Sequence, residues 1–350
     1  MKVLHLIGGG DVGGAKVHVL SLVKELSKYI DVKIVSFRPG VFADEAREMG
    51  INIEVVKTGN FIADIKRVVN IIKQEGYQIV HSHGAKANMF ALMAKRFARL
   101  PTVTTVHSDY RLDYMHSLVK RMTFGSMNAI ALRFIDYYIG VSSNFKQMLI
   151  RSKFNPDKIF TLYNGMDFKK PLKHYSREEF SRKYNLNLKD TDIVVGIAAR
   201  LYPVKGISTL IKAAAIVVRK NPSVKFVIGG DGEERKSLEH LALKLGVTDN
   251  VFFLGWLNDP YELANSVDIS VLTSISESFP YSILEGARFG KATISSNVGG
   301  IPDLIENGVN GYLFNPNDHE ALAEKILELA SDPDKRNSMG EKLYQKASTL

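Results

Sequence analysis

The chain has 350 residues, 45% hydrophobic and 24% charged, with 46 Lys+Arg against 37 Asp+Glu for a net charge of +9. It is long enough for two ordinary cores, its composition is that of a globular protein, and no apolar run approaches the ~20 residues that cross a bilayer as a helix. The absence of cysteine excludes disulfides, thiolate metal sites and a cysteine nucleophile, and suits a reducing compartment.

Met1-Lys2-Val3-Leu4-His5-Leu6-Ile7-Gly8 is a short apolar run ending in glycines with no cleavage signature. It reads as a first strand and not a secretory leader. Gly8, Gly10 and Gly13 then fit G-x-G-x-x-G between a strand and a helix, but that fingerprint wants an acidic residue at the end of the second strand. Ser36-Phe37-Arg38 stands there instead, and nothing else in the chain asks for a nicotinamide. Gly13-Gly14 at the start of a helix predicted over 15–28 remain suited to close backbone approach to a phosphate or sugar. A tight turn without a ligand explains them too.

Further strands are predicted at 32–37, 52–56, 78–81, 102–106, 136–141 and 159–162. Amphipathic helices alternate with them at 61–75, 85–98, 116–134 and 143–150, judged by apolar spacing. Strands separated by helices make parallel sheets through right-handed crossovers. His81 and His83 lie two apart on an extended segment, so they point the same way, yet no third ligand is evident at metal-binding spacing. No metal is expected. His107, after the 102–106 strand and beside Ser108-Asp109, is expected as a polar donor to a sugar, with a satisfied buried histidine as the alternative.

Residues 1–165 carry 23 basic and 13 acidic side chains, and 166–350 carry 23 and 24, so the excess charge is all in the first half. Residues 86–153 alone hold 11 basic and 3 acidic groups. Within them, Tyr110, Arg111, Tyr114, Met115, Lys120, Arg121, Met122, Phe124, Arg133 and Phe134 combine charge with aromatics. A basic aromatic helix can lie on an anionic membrane surface; a core helix with a basic outer face is weighed equally.

After a polar stretch at 168–191 the pattern restarts with Ile193-Val194-Val195-Gly196-Ile197-Ala198, followed by strands at 224–229, 251–254, 268–272 and 292–295. Two doubly wound α/β domains are expected, over 1–168 and 169–350. Ligands of such sheets bind beyond the carboxyl ends of the strands, so a cleft between the domains is the expected site. Arg200 and Lys205, five apart on the loop before a helix at 207–219, can converge on one diphosphate as a planar fork and a point charge. Gly230, in Gly229-Gly230-Asp231-Gly232-Glu233, is a turn or a nucleotide contact. Trp256 lines a base pocket or packs as an ordinary aromatic. Asp190-Thr191-Asp192 and Asp332-Pro333-Asp334 read as turn or cap residues.

The most telling stretch is Ser276-Glu277-Ser278-Phe279-Pro280-Tyr281-Ser282-Ile283-Leu284-Glu285. A serine at the cap with proline one or two positions on starts a helix, whose free first-turn amides accept an anion. Glu277 lies just before that start and Glu285 eight residues later, a helical span of at most ~12 Å. That is the reach from ribose to sugar in a nucleotide-sugar.

Taken in order, these residues resemble the retaining GT-B-fold glycosyltransferases of family four, also called glycosyl transferases group one. The resemblance covers nearly the whole chain. It rests on Gly13-Gly14-Ala15, His107, Asn164-Gly165-Met166-Asp167, Arg200 with Lys205-Gly206, Gly230-Asp231-Gly232, Glu277 with Glu285, and Gly299-Gly300. It implies two facing Rossmann-like domains with an interdomain cleft, the second holding the donor. Glu285 is then similar to the glutamate on the ribose hydroxyls and Glu277 to the one on a donor-sugar hydroxyl. Arg200 and Lys205 resemble the pair that neutralises the diphosphate, Gly14 the glycine that approaches the phosphates, and His107 the histidine that contacts the transferred sugar. The implied catalytic set is His107, Arg200, Lys205 and Glu277. The implied donor site adds Gly13, Gly14, Gly230, Trp256, Ser278, Phe279, Pro280, Tyr281, Ser282 and Glu285.

The chain departs from the family where Ser278 and Pro280 replace glycines, because proline removes an amide, and where Tyr281 brings bulk. Family members also continue into a last helix crossing back to the first domain, so a chain ending at Leu350 is expected to lack it. The expected activity is metal-independent, retaining transfer from a nucleoside-diphosphate sugar, UDP foremost, to a lipid-linked or saccharide acceptor in cell-envelope glycan or glycolipid synthesis. The nucleotide-sugar is a co-substrate and no cofactor is implied. A degenerate nucleotide-sugar binder without turnover is the alternative. The expected place is the cytoplasm, peripheral at the inner face of the membrane; no nucleic-acid module is present.

Overall fold

The computed structural model describes residues 1–9, 13–108 and 125–350. Gly10 of the glycine-rich turn and, from the basic aromatic segment, Tyr110, Arg111, Tyr114, Met115, Lys120, Arg121, Met122 and Phe124 lie outside these residues. The chain divides into two compact units, Met1–Asn164 and Gly165–Leu350. The division falls within the Asn164–Asp167 segment.

The first unit runs β1 (Lys2–Ile7), α1 (Gly14–Leu26), β2 (Asp31–Ser36), α2 (Val41–Glu48), β3 (Ile53–Val55), α3 (Phe61–Glu75), β4 (Ile79–His83), α4 (Ala85–Ala98), β5 (Thr102–Val106), α5 (Ser126–Phe134), β6 (Tyr137–Gly140), α6 (Ser143–Arg151) and β7 (Ile159–Thr161). Its seven strands lie in the order β3-β2-β1-β4-β5-β6-β7, all parallel. Helices cover both faces, which is why the strands read as apolar runs and not as alternating ones. One face packs Leu4, Leu6, Val35 and Val80 against Val68, Ile72, Phe90 and Ala94; the other packs Ile7 and Ile34 against Val19, Val23 and Phe42. Local signals set the ends: Asn60 caps α3 through the amides of Ile62 and Ala63, and Gly76 stops it in the left-handed region, as these residue types favour.

The second unit runs α7 (Arg177–Lys183), β8 (Ile193–Ala198), α8 (Ile207–Lys220), β9 (Val224–Gly229), α9 (Arg235–Lys244), β10 (Val251–Gly255), α10 (Pro260–Ser266), β11 (Ile269–Leu272), α11 (Tyr281–Arg288), β12 (Ala292–Ser296), α12 (Ile301–Leu304), β13 (Tyr312–Phe314), α13 (His319–Ser331) and α14 (Pro333–Ala347). Its parallel sheet is ordered β10-β9-β8-β11-β12-β13.

Several elements were given no range from the sequence, among them α7, β13 and α2. α7 interrupts the polar 168–191 stretch, and its signal was present as a capping box in which Ser176 and Glu179 satisfy each other's backbone amides. β13, only three residues, is too short for a periodicity reading. α2 was likewise passed over. The two D-x-D pairs behave as turn and cap residues: Asp192 accepts from the Lys189 amide and Asp332 caps α14. Among the described residues, no helix is long and apolar enough to cross a membrane.

Candidate functional site

In the second sheet the strand order reverses between β8 and β11, the point where open α/β sheets leave a crevice. The loop after β8 carries Arg200 and Lys205, and the loop after β11 carries Glu277, so topology alone brings these distant residues together. Lys205 Nζ lies 2.5 Å from Glu277 Oε1, and the same oxygen accepts from Ser274 Oγ at 2.6 Å. Both contacts fall on Oε1. The Glu277 side chain keeps 11% of its surface and that of Lys205 20%. Arg200 is exposed, has no carboxylate partner among the described residues, and lies over the Tyr202 ring at 5.4 Å.

Two glycines explain how tightly these loops are set. Gly206 has φ +59, and a Cβ there would meet the Thr273 carbonyl oxygen at 2.4 Å. That contact locks the β8 loop onto the β11 loop, reinforced by Thr273 Oγ1 donating to the Lys205 carbonyl and by the Ile275 amide donating to that of Val204. Gly299, at φ +57, would place a Cβ 1.6 Å from the Glu277 carbonyl oxygen, while the Gly300 amide donates to the Ser278 carbonyl at 2.7 Å. Glu277 is therefore held by its backbone from the β12 side and by its carboxylate from the β8 side.

The expected serine cap of the following helix is corrected. α11 begins at Tyr281, its cap residue is Pro280 with extended backbone, and no side chain caps it. Proline fixes φ near the value needed for entry, and the Ser278 carbonyl is already engaged by Gly300. Among the described residues no side chain caps the first turn of α11. Phe279 is 1% exposed and Tyr281 9%, so the Phe279 ring anchors the loop from within the core. Pro280 is buried, while Ser278 and Ser282 are partly exposed.

Glu285 stands one turn into α11. Burial raises its carboxyl to a pKa of about 7, and the negative charge of Asp259 adds to the shift. The phenols of Tyr281 and Tyr261 are raised in turn, mainly by burial and then by Glu285. An acid that titrates near neutrality responds to any ligand that hydrogen-bonds its charged form. Gly230 follows β9 and donates its amide to the Gly255 carbonyl at 2.7 Å. Trp256 follows the edge strand β10 and is 67% exposed, so the packed-aromatic reading is corrected. It lies two strands from β8, about 10 Å across the sheet.

In the first sheet the order reverses between β1 and β4. Gly13 caps α1 and Gly14 is its first residue. Parallel register sets His5 beside His81, Ile7 beside His83 and His83 beside Thr105. Residues two apart on a strand share a face, so His5, His81, His83 and His107 fall on one side of the sheet, and His18 of α1 meets them there. Here the expectation that His81 and His83 lack a third ligand is corrected: the three further histidines come from other segments and share no sequence spacing with them. His5 Nδ1 lies 3.2 Å from His83 Nε2, and His83 Nδ1 lies 3.2 Å from His107 Nε2. His18 Nδ1 donates to Asn164 Oδ1 at 2.8 Å, and His81 Nε2 pairs with Thr105 Oγ1 at 2.8 Å. Burial first, and neighbouring histidines second, lower His5 and His107 to about 3 and push His81 and His83 well below their usual range. His18 is lowered by burial against the opposing pull of Asn164. Burial thus favours the neutral form of all five rings.

Comparison with known proteins agrees with this layout. The family model for glycosyltransferase family 4 matches residues 12–170, and that for glycosyl transferases group 1 matches residues 176–346. The chain is 27% identical over 280 residues to the UDP-Gal:alpha-D-GlcNAc-diphosphoundecaprenol alpha-1,3-galactosyltransferase of Escherichia coli, covering 78% of this chain and 72% of that one. It is 27% identical to the capsular polysaccharide biosynthesis glycosyltransferase CapM of Staphylococcus aureus, covering 89% and 84%. The crystal structure of Anabaena HepE in complex with UDP superposes with a TM-score of 0.86 at 26% identity, covering 100% of this chain and 95% of that one. The chain belongs to the group 1 glycosyltransferases, and its two parallel α/β units are those of the GT-B fold.

Proposed function

We propose that the chain transfers a sugar from a UDP-sugar to a lipid-linked or saccharide acceptor of the cell envelope, with retention at the anomeric carbon and no divalent ion at the diphosphate. The observation that carries the reading is the joining of Lys205 to Glu277 at the strand-order reversal of the second sheet, with exposed Arg200 on the same loop as Lys205. In this reading Arg200, Lys205 and the uncapped amides of α11 stabilise the charge that builds on the departing diphosphate. Glu277, held at Oε1, turns Oε2 to a sugar hydroxyl, and Glu285 takes the ribose. His107, whose Nε2 faces His83, turns Nδ1 to the transferred sugar.

UDP in the HepE complex supports the base, and the acceptor named for the E. coli relative supports a lipid diphosphate class. The basic first unit and the exposed Met127, Ile130 and Phe134 on α5 support peripheral contact with an anionic membrane on its cytoplasmic side. The test offers labelled UDP-sugars with lipid-diphosphate acceptors carried on anionic vesicles, without magnesium or manganese. The expected product keeps the donor's anomeric configuration. An inverted linkage, or turnover that begins only on adding manganese, overturns the mechanism.

A further inference from the structure

We propose that His18, His83 and His107 form a site for one transition-metal ion of the zinc class, with an open fourth coordination position. The ring nitrogens these three residues offer all lie within 4.8 Å of one another. Tetrahedral zinc with Zn–N of about 2.0–2.1 Å sets its nitrogens about 3.3 Å apart. The His83–His107 pair already stands at 3.2 Å, so the widest separation has to close by about 1.5 Å to meet that spacing.

The tautomer of His18 is the strongest sign. Oδ1 of Asn164 can only accept, so His18 Nδ1 carries the proton and Nε2 presents a bare lone pair. That atom is buried and has no hydrogen-bond partner among the described residues. A ligating histidine characteristically gives its other N–H to an oxygen acceptor, which orients the ring and raises its basicity. Buried polar atoms without partners are rare, and a bound ion satisfies this one. His83 Nε2 is turned to His5 Nδ1 at 3.2 Å, which directs its Nδ1 toward His107.

Two features choose this triad over His5, His81 and His83. The latter three are all buried. His107 is only partly buried, which leaves a route in and a position for water or an anionic oxygen, as in three-histidine sites that keep one place open. Imidazole ligands select zinc, cobalt, nickel or copper over magnesium or calcium. Coordination through His107 Nε2 leaves Nδ1 available, so the site is compatible with the sugar contact above without resting on it.

The experiment uses the full chain stripped of metal and titrated separately with Zn2+ and Co2+. One equivalent of Zn2+ binds and raises the thermal midpoint, because it stabilises the folded state by mass action. Co2+ gives the visible ligand-field bands of a nitrogen-ligated, four- or five-coordinate ion, and Mg2+ gives no shift. H18Q and H107Q weaken zinc at least about 10-fold. N164A weakens it about 10-fold while removing no ligand, and H240Q, at an exposed position on α9, leaves it unchanged. If H18Q fails to fold, the wild-type cobalt spectrum and H107Q decide. Absence of stoichiometric zinc and of imidazole-type cobalt bands, or equal affinity in H107Q and wild type, overturns the site. A protein that transfers sugar yet binds no zinc overturns only this inference.

Discussion

Between β1 and β4 of the first sheet stand imidazoles; between β8 and β11 of the second stand Arg200, Lys205 and Glu277. Both groups occupy the same place in the same topology, yet the first is discharged and the second is charged. Among the described residues the histidines are enclosed with no carboxylate between them, so burial favours their neutral form. Lys205 is half-enclosed but has Glu277 at 2.5 Å, and a pair that is hydrogen-bonded as well as opposite in charge tolerates burial. What decides the chemistry at each reversal is the presence of a counter-ion, not the depth of the site.

The largest effect that tests this contrast is expected at Lys205. Lys205→Ala removes the cation proposed to stabilise the departing diphosphate and leaves Glu277 partly buried without its partner. The turnover number falls about 100- to 1,000-fold, the range for losing one preorganised donor. Steady-state kinetics with a UDP-sugar measures it, and a rate within a few-fold of wild type would place the reaction elsewhere.

Next in size is Gly299→Ala. Its Cβ has no room beside the Glu277 carbonyl, and the backbone is in a region that disfavours side chains. A loss of about 2–4 kcal/mol in denaturant unfolding, with reduced turnover, is expected. Unchanged stability would mean that the β12 loop does not set Glu277.

A third effect reports on Glu285, an acid whose folded pKa of about 7 lies above the unfolded value of 4.5. The folded state binds the extra proton between these values, so the chain loses stability as pH rises from 4.5 to 7 and loses no more above it. Glu285→Gln should therefore match wild type near pH 4.5 and exceed it by about 3 kcal/mol at pH 8. Donor binding works the other way: a ribose diol favours the carboxylate, so donor affinity climbs with pH up to about 7 and then levels. Calorimetry across that range, showing no dependence or a fall with pH, would take Glu285 out of the donor site.

Much of the proposed donor side rests on sequence signals that are local. Glu277 and Glu285 flank one helix start, and Arg200 and Lys205 share one loop. One reading failed where a third segment intervened: a serine was expected to cap α11, but the helix starts at Tyr281 after Pro280, and the Ser278 backbone is tied to Gly300. The histidine cluster was half visible. His81 and His83 announce themselves by period two, but His5, His18 and Asn164 join them only through strand register and helix packing.

The sequence by itself determined the alternation of strand and helix, the restart near Ile193, the family, and the paired acids and bases of the second unit. These follow from periodicities and caps that act over a few residues. The tertiary structure alone decided which charges survive: that Lys205 and Glu277 neutralise each other, that Glu285 sits where its proton is held to neutral pH, and that five histidines remote in sequence share one uncharged cluster. Charge state depends on burial and on neighbours brought from distant segments, and neither is written in local spacing.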